Sequence, residues 1–197
     1  MSGHIYLTGY RGSGKTTIGK QLSRKLRLPV IDLDDCIEQE ASLTIREIFE
    51  REGEAGFRDR ETSALRAVSE QPDSVVSLGG GAILRKENRQ VIKATGICIW
   101  LKVDVDTVSK RLNRDSSTAS RRPSLTSLPP REEIEALLAA REPLYADAAT
   151  IQIDANRKSQ RKVTEEILAA IDAPRPIETK PAQSESAKRG RAPRSAD

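Results

Sequence analysis

The sequence predicts an α/β domain of three layers, in which helices cover both faces of a five-stranded parallel sheet. Five short apolar runs alternate along the chain with segments whose apolar residues recur at helical spacing. A glycine-rich loop follows the first run and precedes the first helical segment. Strands that alternate with helices pair in parallel, because each helix crosses a face of the sheet to reach the next strand.

The N-terminal elements are delimited by glycine and proline. HIYLT (His4–Thr8) is an apolar run that ends at a glycine, and it is the first predicted strand. After the glycine-rich loop, apolar residues four positions apart predict a helix over Lys15–Leu26. Pro29 ends that helix, and VIDL at 30–33 is the second predicted strand.

Helices are predicted between the second and third strands. One covers residues 34–40, and Thr44 is a residue type typical of the N-cap of a helical turn. Residues 54–69 are expected to continue as helix. SVVSL at 74–78 is the third strand, and it ends at three consecutive glycines: Gly79, Gly80 and Gly81.

The second half of the chain repeats the alternation. Its predicted elements are a helix over 86–94, the fourth strand over 97–101, a helix capped by Asp104, a helix over about 131–148, the fifth strand over 150–154 and a last helix over 162–171. We expect Pro143 to interrupt the helix in which it lies. Arg141, just before this proline, is either a surface charge or a contact for a bound ligand.

Composition separates a folded domain from a tail. We expect the domain to cover residues 1–173 and the tail, 174–197, to be disordered, because the tail has four prolines and almost no large apolar side chain. The tail carries six Lys/Arg against three Asp/Glu, which is +3 of the net charge of +4. It is either a solvated appendage or a contact for nucleic acid or an acidic partner. The domain itself is nearly neutral, so we expect no nucleic-acid partner for it.

The chain shows no signal for export or membrane insertion. Its first residues lack a basic start followed by a long apolar run, and no stretch reaches the roughly 20 apolar residues of a membrane span. Cys36 and Cys98 share no metal-ligand spacing and are expected to be free thiols in a reducing compartment. We therefore expect a cytoplasmic protein without membrane contact.

The loop after the first strand has the spacing of a phosphate-binding loop (P-loop), Gly9-x-x-x-x-Gly14-Lys15-Thr16. Its glycines let backbone N–H groups point at phosphates beside a helix N-terminus. Lys15 offers a charge to the β- and γ-phosphates, and Thr16 offers a hydroxyl to Mg²⁺. The motif predicts a site for ATP or GTP. The loop residues predicted to bind the nucleotide are Gly12, Ser13, Gly14, Lys15, Thr16 and Thr17.

A second magnesium ligand is expected from the second strand. Asp32 lies near the end of that strand, at the carboxyl edge of the sheet, where ligands bind in open α/β folds. It is predicted to contact the metal with Thr16, directly or through water. The alternative is that Asp32 only caps the following helix. The third strand is followed by Gly79 and lacks the carboxylate that many P-loop proteins carry there.

Other residues are suited to a small polar anion as phosphate acceptor. Asp34 lies two residues beyond Asp32, so at a strand-to-helix corner both face one cleft. Arg58 stands in a helix that otherwise buries apolar residues, and the alternative is an exposed charge paired with Asp59 or Glu61. The three glycines favour a close approach of bare backbone to a ligand over a plain turn.

The polar segment 113–127 has the character of a mobile lid. It carries Arg121 and Arg122 and is too polar to pack against a core. Such segments close over a bound nucleotide and exclude water, which prevents hydrolysis of ATP. Pro123 restricts the backbone of Arg122 and so orients it toward the transferring phosphate. The alternative is an ordinary flexible loop.

Taken together, these motifs resemble the shikimate kinases, in that family's order and spacing over residues 5–171. The stretches that carry the resemblance are GYRGSGKTTIGKQLS, VIDLDDCIEQ, SLTIREIFEREGEAGFRDRE, SLGGGA, RRPSL and REPLYADAA. A P-loop alone does not select this family. The loop joined to Asp-x-Asp, Phe-Arg-x-x-Glu, Gly-Gly-Gly and Arg-Pro does.

The resemblance implies a fold like that of the nucleoside monophosphate kinases, with a mobile lid. Most members of this family are monomers, so the resemblance also implies a monomer. It implies ATP-dependent phosphorylation of the 3-hydroxyl of shikimate, on the route to chorismate and the aromatic amino acids. In this family's pattern Arg111 stacks on adenine, and Lys15, Asp34 and Arg122 are the catalytic groups. The residues implied to hold shikimate are Asp34, Arg58, Gly79, Gly80, Gly81 and Arg141.

Three other functions remain possible on the sequence alone. A kinase for gluconate is one, because gluconate also offers a carboxylate and hydroxyls, and a nucleoside monophosphate kinase is another. A nucleotide-binding regulator without turnover is the third, and the set of charges suited to an acceptor argues against it. The chain lacks the Asn-Lys-x-Asp stretch with which many GTPases recognise guanine.

Overall fold

A computed structural model describes residues 3–114, with the side chain of Arg114 excepted, and residues 128–173. These residues form one five-stranded sheet in which every described strand pair is parallel. The strand order is β2-β3-β1-β4-β5. The strands are β1 His4–Thr8, β2 Val30–Asp32, β3 Val75–Ser77, β4 Gly96–Lys102 and β5 Ile151–Asp154. The predicted parallel α/β fold is confirmed.

Seven helices lie in the two described stretches of chain. They are α1 Lys15–Leu26, α2 Leu33–Ala41, α3 Ile45–Ser69, α4 Lys86–Thr95, α5 Val105–Arg114, α6 Pro130–Ala148 and α7 Gln160–Asp172. None of these helices combines the length and the apolar character that crossing a membrane requires.

The sheet separates two apolar cores, which is the three-layer arrangement. Along β1, Ile5 and Leu7 pack into one core, whereas Tyr6 packs into the other. The first core also holds α1, α5 and α7 residues such as Ile18, and the second holds α2, α3 and α4 residues such as Phe57. Because side chains alternate across a strand, each buried strand contributes to both layers.

Two helices differ from their predicted form. Helix α3 is one 25-residue element that contains a kink at Gly53, where φ is 69° and ψ is −173°. The predicted N-cap Thr44 begins it with a full capping box to Glu47. The predicted interruption at Pro143 is wrong, because α6 continues through this proline to Ala148. Packing of Tyr145 and Ala148 in the core holds the last turn in place.

The strand order places the glycine-rich segments side by side. In the sheet, Leu7 of β1 pairs with Ser77 of β3, so both strands end at the same edge. The chain leaves β1 into the P-loop and leaves β3 into the glycine triplet. On its other side β1 pairs with β4. The P-loop therefore starts at the point where the strand order reverses, which is where open α/β sheets bind ligands.

Candidate active site

The P-loop wraps around the N-terminus of α1. Gly9 and Gly14 have φ values of 141° and 100°, and a Cβ at Gly9 would stand 2.7 Å from the Leu101 carbonyl oxygen. Glycine is therefore required at both positions. Lys15 begins α1, and its Nζ donates to the carbonyl oxygens of Gly9 at 2.7 Å and Tyr10 at 3.0 Å. The ammonium group thus lies within the loop, beside a helix N-terminus that attracts anions.

Arg111 of α5 supports the loop from outside. Its Nη1 donates to the carbonyl oxygens of Gly12 at 3.1 Å and Ser13 at 3.0 Å, and its Nη2 donates to that of Ala155 at 2.9 Å. Burial lowers the pKa of its guanidinium. Arg111 therefore links the P-loop to the segment after β5 by binding backbone carbonyl groups of both. In a P-loop whose N–H groups point toward the phosphates, the carbonyl groups point away from them, where such a residue can bind them. Its stacking on adenine stays a prediction.

Asp32 makes two contacts, one that caps α2 and one to the P-loop threonine, and its contact with a metal stays a prediction. One oxygen, Oδ1, accepts the backbone N–H of Asp34 at 3.1 Å and caps α2. The other, Oδ2, accepts the hydroxyl of Thr16 at 3.1 Å. Burial, followed by the nearby charges of Asp34 and Asp35, raises the pKa of Asp32. Negative charge is thus concentrated beside the P-loop threonine, where a cation would be stabilised.

This pair of oxygens fits a magnesium ion bound with a nucleotide. Magnesium prefers hard oxygen ligands and takes one or two from protein groups, with phosphates and water completing six. Within the described residues no group of three or more His, Cys, Asp and Glu side chains could hold a metal alone. The third strand ends at Ser77 without a carboxylate, and Thr16 and Asp32 lie within hydrogen-bond distance of each other at this edge.

Arg58 is buried in the second turn of α3 after the kink, with 6% of its surface exposed. Its Nη1 donates to Glu61 at 2.8 Å, and its Nη2 donates to Glu54 at 3.0 Å. Burial lowers the pKa of Arg58, but these two carboxylates outweigh it and hold the pKa above its usual value. The alternative of an exposed helix charge is wrong about the exposure, whereas its pairing with Glu61 is confirmed. Asp59 instead pairs with Arg85, at 2.6 Å.

The glycine triplet is packed tightly against this arginine and the P-loop. A Cβ at Gly81 would stand 2.5 Å from Nη1 of Arg58, and a Cβ at Gly80 would stand 3.4 Å from the Gly9 carbonyl oxygen. Neither Gly80 nor Gly81 has a positive φ. At Gly81 a side chain would collide with the guanidinium group although the backbone conformation permits one, whereas at Gly80 the distance is an ordinary van der Waals contact. The predicted close approach of bare backbone is therefore present, but its partners are the protein's own arginine and loop.

Arg141 of α6 reaches the same turn from the opposite side. It is buried, with 6% of its surface exposed, and its Nη1 donates to the Gly80 carbonyl oxygen at 3.4 Å. Tyr145, one turn further along, donates its hydroxyl to the same oxygen at 2.7 Å. No carboxylate of residues 3–114 or 128–173 pairs with Arg141. The alternative of a surface charge is wrong for this residue as well.

The structure thus brings two buried guanidinium groups to consecutive glycines, directly beside a P-loop. The protein-family model for shikimate kinase matches residues 11–172 of the chain. The chain belongs to the shikimate kinase family.

Relatives of the family cover nearly all of the described domain. The chain is 48% identical over 167 residues to a shikimate kinase of Rhodopirellula baltica, with 85% of this chain and 89% of the relative covered. A solved shikimate kinase from Acinetobacter baumannii in complex with shikimate is 37% identical, with a TM-score of 0.81 over 87% of this chain and 93% of that one. The chain is therefore an enzyme of the kinase class with the P-loop fold.

The same fold also occurs in kinases for other acceptors. A gluconokinase from Sinorhizobium meliloti 1021 superposes with a TM-score of 0.56 at 17% identity, over 86% of this chain and 91% of that one. At this identity the likeness concerns the fold alone. The family match therefore separates the shikimate kinases from the gluconokinases, which the fold alone does not.

Sequence reasoning missed an ion pair that joins the P-loop to α6. Nη2 of Arg11 lies 3.4 Å from Oε1 of Glu133, a carboxylate in the first turn of α6 that is almost fully buried. The guanidinium groups of Arg11 and Arg141 both lie near the ring of Tyr10, each 6.0 Å from its centre. The sequence signal that could have indicated this ion pair is an arginine at a P-loop position where phosphate binding does not require a charge.

The roles of some predicted site residues stay predictions. The expected lid began at residue 113, but residues 113 and 114 belong to helix α5. Its remainder, residues 115–127 with Arg121, Arg122 and Pro123, lies outside the described residues. Asp34 is half-buried at the start of α2 and close to Asp32, as expected. Thr17 is exposed on the first turn of α1, and Ser13 is buried in the loop.

Proposed function

We propose that this chain is a shikimate kinase, which transfers the γ-phosphoryl group of ATP to the 3-hydroxyl of shikimate. The products are shikimate 3-phosphate and ADP, on the route to chorismate and the aromatic amino acids. The observation that carries the proposal is the convergence of Arg58 and Arg141 on Gly81 and Gly80 beside the P-loop. Two buried guanidinium groups at one turn are a receptor for a carboxylate.

The donor side follows from the P-loop. The N-terminus of α1 and the amide groups of Gly12, Ser13, Gly14, Lys15, Thr16 and Thr17 bind the phosphates of ATP. Lys15, already within the loop, turns from the Gly9 and Tyr10 carbonyls to the β- and γ-phosphates. Arg111 keeps the loop carbonyls turned outward, and its exposed face is available to adenine.

The acceptor side holds the sugar-like ring in line with the γ-phosphate. Arg58 and Arg141 bind the carboxylate and so fix one end of the molecule, which lies against the bare backbone of the glycine triplet. Asp34, at the start of α2, accepts hydrogen bonds from the hydroxyl groups and orients the attacking one. Phosphoryl transfer depends mainly on positioning and electrostatics, so a positioning role suffices for Asp34.

Thr16 and Asp32 are the residues that hold the magnesium ion of the Mg·ATP complex. Bound there, Mg²⁺ neutralises charge on the β- and γ-phosphates. Arg122 of the lid adds positive charge at the transferring group and helps to exclude water. We also propose that the chain is a monomer, which sedimentation of the purified chain tests directly, and that it is cytoplasmic.

A coupled ADP-release assay with a panel of hydroxy acids tests the proposed function. Shikimate is expected to stimulate ADP release strongly, and gluconate and nucleoside monophosphates are not. Mass spectrometry of the product should show one added phosphate on shikimate. Lys15→Ala is expected to lower kcat by at least about a hundredfold, as the loss of a main electrostatic contact does. Equal turnover of gluconate would refute shikimate as the specific acceptor, while the assignment of the chain as a kinase would hold.

A further inference from the structure

Two carboxylates share the guanidinium group of Arg58, and they bind different parts of it. Glu61 accepts from Nη1 at 2.8 Å. Glu54 accepts from both Nε and Nη2 with a single oxygen, at 3.3 Å and 3.0 Å. The Nε–Nη2 edge is one of the edges on which arginine binds a carboxylate through two parallel hydrogen bonds. Glu54 thus lies where a bound carboxylate would lie.

The two glutamates differ in how easily they can leave. The side chain of Glu61 is 0% exposed, so moving it away from Arg58 would leave a buried charge without its cation. The side chain of Glu54 is 54% exposed. Its backbone follows Gly53, the residue at which α3 is kinked. Water can solvate Glu54 when it turns outward, so this contact costs less to break than the fully buried contact with Glu61.

Arg141 provides the contrast within the same site. Its guanidinium contacts the Gly80 carbonyl oxygen and the face of Tyr10, and no carboxylate of the described chain pairs with it. An acceptor carboxylate therefore adds to Arg141 without displacing an anion. At Arg58 it has to replace one of two anions, and only the exposed one is replaceable at low cost.

We infer that Glu54 competes with the acceptor carboxylate for the Nε–Nη2 edge of Arg58. This inference rests on the proposed function, since it concerns the same acceptor. Acceptor binding is then an exchange of one carboxylate for another, and Glu61 stays in place throughout. Glu54 keeps the charge of Arg58 compensated in the absence of acceptor. It does so at the expense of acceptor affinity.

Removal of the competing charge is the test. Glu54→Gln and Glu54→Ala are expected to lower the KM for shikimate by about 1.5- to 5-fold, the range of weak exposed ion pairs. The kcat and the KM for ATP should stay unchanged, because Glu54 contacts neither the P-loop nor Lys15. Glu52→Gln is the matched control, since Glu52 is an exposed glutamate of the same helix that pairs with Arg60 instead. It should leave all three constants unchanged.

The methyl ester of shikimate separates competition from a general effect of charge. The ester has no carboxylate with which to displace Glu54, so the gain in kcat/KM on Glu54→Gln should vanish with this acceptor. An unchanged or higher KM for shikimate in the Glu54 variants would overturn the inference. So would an equal gain with the ester or in the Glu52→Gln control.

The proposed function fails in a different way. It fails if the unaltered protein neither phosphorylates shikimate nor binds it in a calorimetric titration, and the inference about Glu54 falls with it. If the unaltered protein phosphorylates shikimate and the Glu54 variants show no lower KM, only the inference about Glu54 is refuted.

Discussion

The guanidinium group of Arg58 lies so close to Gly81 that a Cβ at position 81 would stand 2.5 Å from Nη1 and 2.6 Å from Nη2. The backbone at Gly81 does not itself require glycine. The absence of a side chain at Gly81, the last glycine of the triplet, thus leaves the space that the guanidinium group of Arg58 occupies. Substitution at this position reports on where Arg58 must lie for activity.

We predict that Gly81→Ala raises the KM for shikimate by about tenfold, because the new methyl group pushes Arg58 out of its position. The KM for ATP should change little. Steady-state kinetics measure both constants. The control is the same substitution in an Arg58→Ala background, where the space is open and the further loss should disappear. A full loss in that background would mean that the methyl group meets the acceptor itself.

Substitutions of Arg58 and Arg141 are expected to differ in their effect on the stability of the protein, although we propose that both residues bind the acceptor. Arg58→Ala leaves the buried Glu61 without its cation, so we predict a loss of about 3–5 kcal/mol of unfolding free energy. Arg141→Ala leaves no described carboxylate behind, and its loss should be smaller. Both variants should raise the KM for shikimate far more than that for ATP. Denaturant unfolding and kinetics of the two variants check this contrast, and equal stability losses would contradict it.

The Arg11–Glu133 pair is expected to couple the P-loop to α6. Glu133 is buried and Arg11 is partly exposed, so we predict a coupling free energy of about 0.5–3 kcal/mol in a double-mutant cycle of Arg11→Ala and Glu133→Gln. Urea unfolding of the two single variants and the double variant measures it. Strict additivity would show that the two side chains are neighbours without an energetic link.

Removal of residues 174–197 is predicted to leave kcat, both KM values and the melting temperature unchanged. Helix α7 ends at Asp172, and its buried residues Val163, Ile167 and Ile171 complete one core of the sheet. A longer deletion that also removes α7 is the control. It should prevent folding, because it uncovers this core. A loss of activity on the short deletion would assign the tail a part in the reaction.

The elements that the sequence predicted best are those marked by local chemistry. The bounds of β1 and α1 agree with their predicted ranges because glycines and a proline delimit them. The second strand proved one residue shorter, since Leu33 already belongs to α2. The path of α6 through Pro143 was missed because core packing outweighs the lost backbone hydrogen bond there.

The site residues were predictable as types, but most of their contacts were not. The motifs indicated Lys15, Arg58 and Arg141, and helical spacing offered Glu61 as a partner of Arg58. No local pattern shows that Arg58 is buried with a second glutamate, or that no described carboxylate pairs with Arg141. The link of Arg11 to Glu133 spans 122 positions, and only the fold brings such residues together. Contacts of this kind depend on tertiary packing, on which the spacing of residues along the chain carries no information.

The most direct test of the proposed binding mode is a crystal structure with shikimate and a non-hydrolysable ATP analogue bound together. We predict the acceptor carboxylate on Arg58 and Arg141, the triphosphate in the P-loop on Lys15, and Glu54 turned to solvent. A complex in which both arginines point away from the acceptor would contradict the account.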